Sequence, residues 1–299
     1  MKVARAIHTG VGTGLVLLAI AHLLSAKDSS YQQSVEKWRH DYETYLRSDD
    51  GWLTVSGLFW LHEGENRFGS DPLSDIVLPA SSAPLMAGYF QYQAGKTIVH
   101  LNPGVQATLN GKPIQLAELR PKDDRVVMGD LTLYVHASGN RLAIRLKDKN
   151  NKLRRNFAGL QWFAVDETYR ITARYFPYDS PRQLETQNIL GDPERISMVG
   201  YVTFSIKGQE YRLDAEARDL GELFIVFRDL TSGKQTYPAA RFLSTEAPKD
   251  GRVEVDFNKA YNPPCAYNPY TTCPLPLPGN RLRVEIPAGE KIYKQQQGT

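Results

Sequence analysis

The chain has 299 residues, 41% of them apolar and 23% charged. Those proportions supply a sizeable core and exclude disorder, collagen and a coiled coil, and the length corresponds to about two domains. The net charge of +3 lacks the basic excess of a dedicated nucleic-acid binder, so nucleic acid is not an expected partner.

The amino terminus carries an export layout. Lys2 and Arg5 precede an apolar stretch from Val11 to Leu24, followed by Ser25-Ala26 and the polar Lys27-Asp28-Ser29-Ser30. This pattern predicts a signal peptide over residues 1–26 and a periplasmic or secreted protein. The apolar stretch is short for a membrane span of roughly 20 residues. No span is expected after cleavage, an uncleaved anchor being the competing reading. Losing Lys2 and Arg5 would bring the charge to +1.

Residues 27–50 are predicted to hold an amphipathic helix. Ser30 and Gln33 form a capping-box pattern, and Val35, Trp38, Tyr42, Tyr45 and Leu46 recur at helical spacing. Asp49-Asp50-Gly51 ends it. From residue 51 to 147 the period changes to two, as in Leu131, Leu133 and Val135 alternating with Thr132, Tyr134 and His136. Asn110-Gly111 is a strong hairpin signal, and Ala94-Gly95 and Ser138-Gly139-Asn140 mark further turns. Eight or nine short strands are expected, arranged as a sandwich.

The motif order in this region resembles a forkhead-associated (FHA) domain. Phe68-Gly69-Ser70-Asp71 is followed by Ser74-Asp75-Ile76-Val77-Leu78, then Leu109-Asn110-Gly111, then Val126-Val127-Met128-Gly129-Asp130-Leu131. The likeness departs where FHA domains bind their ligand. Ser70 stands where the family usually has Arg, and Ser81-Ser82-Ala83-Pro84 stands near the place of its Ser-Arg-x-x-His segment. The resemblance thus implies the fold without phosphothreonine binding.

Residues 148–157 read as a basic, solvated linker. The remainder, 158–294, is expected to be a second antiparallel β domain, making the protein all-β with two β-rich domains and an amino-terminal helix. Predicted strands include 169–175, 199–206, 211–215, 223–228, 241–243, 253–257 and 281–286, with Lys207-Gly208 as a turn and Pro177 to Pro193 as a polar, loop-like excursion.

The least ordinary stretch is the proline-rich loop 258–280, expected to cap the second domain. Its prolines should make it rigid, and rigid loops bearing polar side chains are good ligand holders. It contains both cysteines, Cys265 and Cys273, for which a disulfide is the favoured reading in an oxidising compartment. Free thiols or half of a metal site are the other readings. No His occurs between 137 and 299 and there is no Cys-x-x-Cys pattern, so no metal or cofactor is expected.

The chain is further identified as a member of the domain-of-unknown-function 1684 family. The resemblance runs over nearly all the mature chain, through Gly51-Trp52-Leu53, Gly57-Leu58-Phe59-Trp60-Leu61, Phe157-Ala158-Gly159-Leu160, Asp229 to Arg241, and Asp256-Phe257-Asn258 on to Cys273-Pro274-Leu275-Pro276 and Gly289-Glu290-Lys291. It implies no activity.

The residues themselves leave three functions open. The first is binding of a small anionic or glycan-like ligand in the second domain. Arg241 would act as a bidentate clamp, Asp256, Asn258 and Asn262 would orient polar groups, and Tyr237 and Tyr261 would stack. Alternatively Arg228, Arg241, Asp229 and Asp256 form a buried network of purely structural value. The second is an envelope hydrolase with Asp229 or Asp256 as general acid or base, for which their separation matters. The third is an envelope scaffold without a pocket function. No nucleophile elbow, metalloprotease or nucleotide-binding signature is present, and nothing identifies a protein partner.

Overall fold

The computed structural model describes residues 12–294, with side chains from residue 29 onward. Residues 1–11 of the expected signal peptide lie outside the described residues. From Gly12 the backbone is already helical, in a helix α1 (Gly12–Arg47) longer than the sequence pattern predicts. No helix among the described residues is long and apolar enough to cross a membrane. Where side chains are described, the expected stripe is realised except at Tyr45, which is exposed. Tyr31, Val35 and Leu46 are buried, and Trp38 and Tyr42 stack on each other and meet Trp162 and Tyr261 edge-on or tilted. Gly51 follows because a Cβ there would sit 2.2 Å from the Leu46 carbonyl oxygen.

The first β region has eleven strands: β1 (Val55–Trp60), β2 (Gly64–Gly69), β3 (Ile76–Val77), β4 (Gly88–Gln93), β5 (Lys96–Leu101), β6 (Ala107–Leu109), β7 (Lys112–Ile114), β8 (Leu116–Leu119), β9 (Val126–Met128), β10 (Leu131–Ser138) and β11 (Arg141–Asp148). The excess over the expected eight or nine comes from strands of two to four residues, too short to show a period. Two sheets, ordered β1-β11-β10-β9-β6-β7 and β3-β2-β4-β5-β8, enclose Phe68, Phe90, Val99, Leu131, Leu133 and Ile144. Asn110 (φ 50°) and Gly111 (φ 83°) make the turn joining β6 to β7, where positive φ at both central positions matches the twist of the strands.

The linker, which includes a short helix α2 (Lys152–Arg155), is docked rather than free. Arg154 bonds the Arg47 carbonyl at 2.6 Å and Asp49 at 2.8 Å, and Lys147 bonds the Asp50 carbonyl at 2.7 Å. Cations thus gather at the carboxyl end of α1, where the helix dipole is negative.

The second region has six strands: β12 (Arg170–Gln187), β13 (Pro193–Ile206), β14 (Gln209–Ala217), β15 (Leu223–Phe227), β16 (Arg241–Thr245) and β17 (Arg252–Asp256). They form one antiparallel sheet ordered β16-β15-β14-β13-β12-β17. The stretch from Pro177 to Pro193 is not a loop. After an irregularity between Pro177 and Arg182, pairing resumes from Arg182 opposite Met198 to Gln187 opposite Pro193. Its apolar residues are few, but Leu184, Ile196 and Met198 find Leu277 of the proline-rich loop, a contact that no local pattern reveals.

The inner face of this sheet buries Val202, Phe204, Leu213, Ile225, Phe227, Leu243 and Val255. It is closed by Leu282, Val284 and Ile286, which alternate inward along a chain that has no strand of its own. That segment instead bonds beside the end of β15, through Leu282 N–H to the Arg228 carbonyl and Leu230 N–H to the Val284 carbonyl. On the outer face, Phe224, Val226 and Phe242 of β15 and β16 are covered by the proline-rich loop through Cys273 and Cys265. The same loop reaches the first region, with His136 Nε2 2.8 Å from Thr272 Oγ1. Nearby, Asp192 takes hydrogen bonds from Arg141 and Ser138.

Candidate functional site

The residues singled out in the sequence fall into three buried clusters. In the first, Arg241 on β16 lies wholly within the inner core, against Phe227. Its guanidinium donates to the Ile286 carbonyl at 3.0 Å and to the Ala288 carbonyl, and pairs with Asp229 at 3.5 Å. Burial pulls its pKa down, and Asp229 pulls it back up. Asp229 in turn accepts from Thr231 Oγ1 (2.7 Å), Ser232 Oγ (3.4 Å) and Ile286 N–H (2.6 Å). The pair therefore pins the final chain segment onto the sheet. Gly289 (φ 80°) passes so near that a Cβ there would lie 2.4 Å from the Ala260 carbonyl oxygen and 3.0 Å from the Arg241 guanidinium.

The second cluster joins the sheet to α1. Asp256, at the end of β17, accepts from Tyr31 OH at 2.8 Å and from Asn258 N–H at 3.1 Å. Asn258 donates to Tyr31 OH (3.0 Å) and to the Asp166 carbonyl (2.8 Å), while its carbonyl receives Arg39 at 3.2 Å. Burial first, and then the charge of Asp256, push the Tyr31 pKa above its ordinary value.

The third cluster centres on Glu290, a residue that no catalytic or binding pattern in the sequence singles out. It is 1% exposed. Its carboxyl faces Asn262 N–H (2.7 Å), Asn262 Nδ2 (2.6 Å) and Tyr267 OH (2.9 Å). Desolvation dominates over these donors and over Arg241, and the Glu290 pKa rises to about 8. Asn262 also donates to the Lys291 carbonyl, and Tyr42 of α1 donates to the Asn262 carbonyl at 3.4 Å. Glu290 has no sequence signal beyond Gly289-Glu290-Lys291, because its partner lies 28 residues earlier.

The two tyrosines go elsewhere. Tyr261 belongs to the aromatic group around Trp38 and Tyr42, and Tyr237 donates to the Cys265 carbonyl at 3.2 Å. The expected disulfide is not formed. Cys265 and Cys273 are free thiols. The Cys273 sulfur accepts the Cys265 N–H at 3.2 Å and packs with Phe224, Val226 and Phe242, so the loop presents it to an amide and to the core. Among the described residues no group of three or more His, Cys, Asp or Glu is placed to hold a metal ion.

One opening in the second domain does bear charge outward. A cleft of about 530 Å³ is lined by Arg228, Asp229, Ser232, Lys234, Arg281 and Arg283, among others. The alternation Arg281-Leu282-Arg283-Val284 sends both arginines to the surface while Leu282 and Val284 are buried. Among the described residues, none of the three arginines has a carboxylate within 4.0 Å, while Lys234 faces only the exposed Glu285 at 3.9 Å. Asp229 reaches the cleft, but Arg241 behind it offsets its charge. Asp256 is not among the lining residues.

Among curated proteins none matches the chain. Among solved structures, an uncharacterized protein of Haloarcula marismortui, determined by NMR, is 33% identical over 46% of this chain and 78% of that one, with a TM-score of 0.40. An FHA domain studied for phosphothreonine-dependent interactions is 16% identical, covering 30% of this chain and 92% of that one, with a TM-score of 0.23. The FhaA FHA domain is 17% identical over 30% of this chain and 97% of that one, also with a TM-score of 0.23. A family model described as protein of unknown function (DUF1684) matches residues 155–291, which contain all three buried clusters apart from the α1 residues, and the cleft. The chain belongs to this DUF1684 family.

Proposed function

We propose that the protein binds a small anion in the second β domain, in the cleft walled by Arg228, Lys234, Arg281 and Arg283. The observation that carries this reading is the gathering of three arginines without carboxylate partners around one opening of about 530 Å³. Like charges held together raise the energy of the empty site, and an anion relieves it through charge-assisted, bidentate hydrogen bonds. Arg241 and Asn262 support the site from beneath by fixing the last chain segment at Ile286, Ala288, Glu290 and Lys291, while Asp256 and Asn258 fasten α1 to the sheet. The hydrolase reading gains no support from this arrangement. Asp229 commits its oxygens to Arg241, Thr231 and Ile286, and Asp256 lies under Tyr31. Export with loss of residues 1–26 remains part of the proposal, and the intact mass of protein recovered from the exported fraction tests it.

The binding test is calorimetric titration of the full chain with inorganic phosphate and with citrate. Saturable uptake that disappears in Arg283→Ala, with the melting temperature unchanged, is the expected result. No uptake of either anion, or equal uptake by the variant, would overturn the reading.

A further inference from the structure

The outer face of the second sheet is only half covered. The proline-rich loop lies over β15 and β16 and, through Leu277, on the far part of the β12–β13 hairpin, and Tyr31 of α1 sits on Asp256 at the end of β17, while the middle of β14, β13, β12 and β17 is open. Strand register places its outward residues in rows. One row reads Arg252, Arg174, Thr203 and Arg212 across the four strands. It spans about 14 Å at ordinary strand spacing. The next reads Phe176, Tyr201 and Asp214. On the other side, Glu254 stands opposite Thr172 and Ser205 opposite Glu210.

Two features of this face are unusual for bare solvent. Arg174 and Arg252 stand directly opposite each other, an arrangement that destabilises a sheet. Among the described residues, the ion pairs of this face are Arg170 with Glu254 and Arg212 with Asp214, and neither reaches Arg174 or Arg252. Beside them, Phe176 stacks on Tyr201 at 5.0 Å, and Arg212 lies 3.7 Å over the Tyr201 ring. Phe176 is itself 38% exposed. A hollow of about 370 Å³ between these rows is lined by Thr172, Arg174, Thr203, Ser205 and Glu210.

We propose that this open half-face binds an extended acidic glycan, its uronate carboxylates on the Arg252–Arg174–Arg212 row and a pyranose ring against Phe176. The charges decide between polyanions. Glu210, Glu254 and Asp214 border the arginine row and need a ligand that carries hydrogen-bond donors beside its charges, which a DNA backbone of phosphodiesters and deoxyriboses does not offer. They accept hydrogen bonds from sugar hydroxyls, as Thr172, Thr203 and Ser205 also can. A chain whose carboxylates are set apart by hydroxyl-bearing carbons matches that alternation. A second copy of this protein centred on the row does not, because a two-fold axis through it would bring arginine rows together. The surface is separate from the cleft and uses none of its residues.

The test uses the full chain with oligogalacturonate as the probe. A neutral cello-oligosaccharide and a single-stranded oligothymidylate serve as comparisons, and sedimentation records the mass. Oligogalacturonate binding should weaken at least about tenfold in Arg174→Ala and in Phe176→Ala. Both side chains are exposed, so the melting temperature should hold. Arg283→Ala should leave that binding intact, and phosphate uptake by the cleft should survive Arg174→Ala. Failure of phosphate binding alone would remove the cleft and not this surface. The proposal is overturned if wild type ignores oligogalacturonate, if the variants bind it equally, if the neutral oligomer binds as well, if oligothymidylate binds more tightly and is lost in the same variants, or if Arg174→Ala only dissociates a dimer.

Discussion

Two sets of polar residues in the second domain have opposite fates. Arg241, Asp229, Asp256, Asn258, Asn262 and Glu290 are sealed inside, each tied to backbone or to another member of the set. Arg228, Arg281 and Arg283, and on the open sheet face Arg174 and Arg252, have no carboxylate partner among the described residues. The sealed set contains the residues that look most like a site in the sequence, since charged and amide side chains cluster there around a rigid loop. Its geometry instead gives it the work of fastening three distant pieces together: α1, the proline-rich loop and the last chain segment. Most of the hydrogen bonds of this set are supplied by the fold, and the atoms left without a partner, Arg241 Nε, Asp256 Oδ2 and Asn262 Oδ1, are closed off from solvent, so little is left to offer a ligand. An exposed cation without a partner has its whole charge to offer.

The sharpest way to break this contrast is to remove a sealed charge. Arg241→Met should destabilise the protein by about 3–5 kcal/mol, because Asp229 would be left buried and unpaired. A shift of the urea midpoint at unchanged slope reads this out. A midpoint near that of wild type would mean that Arg241 is free to serve a ligand after all.

Glu290 provides the next test, through pH. Its folded pKa, about 8, lies above the ordinary carboxyl value of 4.5, so the folded state holds a proton that the unfolded chain releases earlier. Its contribution to stability is therefore complete below about pH 4.5 and is lost as pH rises through about 8. Unfolding free energy measured across that window should fall with pH, and Glu290→Gln should flatten the slope. His136 works in the reverse sense at the junction with the first region. Burial, with Arg145 and Lys122 adding repulsion, lowers its pKa from 6.5 to about 3. The stability it contributes is present above pH 6.5 and is lost as pH falls through about 3.

A smaller effect probes the helix contact. Tyr31→Phe removes one donor to Asp256 and one acceptor for Asn258 and should cost about 1–2 kcal/mol. Protease cleavage within α1 should accelerate in parallel. The smallest change is expected in the open set. Arg283→Ala should shift stability by no more than about 0.5 kcal/mol while abolishing anion uptake. If it destabilises as much as Tyr31→Phe, the cleft arginines are structural too and the distinction between the two sets disappears.

Local chemistry is legible in the amino-acid sequence alone. The Asn110-Gly111 and Lys207-Gly208 turns each place both residues at positive φ, and a two-residue loop between alternating strands needs no distant partner to declare itself. The buried stripe of α1 and the special standing of residues 258–280 are equally readable. The long hairpin of β12 and β13 is not, because its polar residues and Pro177 hide the alternation of Leu184, Ile196 and Met198, whose burial depends on Leu277. The cysteines escape local reading for a related reason. Spacing permits a bridge, but the direction of each sulfur is set by how the loop packs on β15 and β16.

By itself, then, the sequence determined the all-β class, the two β-rich regions, the helix face and the main turns, since periodicity and turn chemistry act over a few residues. Only the tertiary structure decided which charges are inside. Arg241 is sealed by carbonyls 45 and 47 residues later, Asp256 by a tyrosine 225 residues earlier, and Arg174 meets Arg252 only through strand pairing. Burial and charge pairing are properties of the whole packed chain, and they separate the residues that hold this protein together from those that remain available to bind.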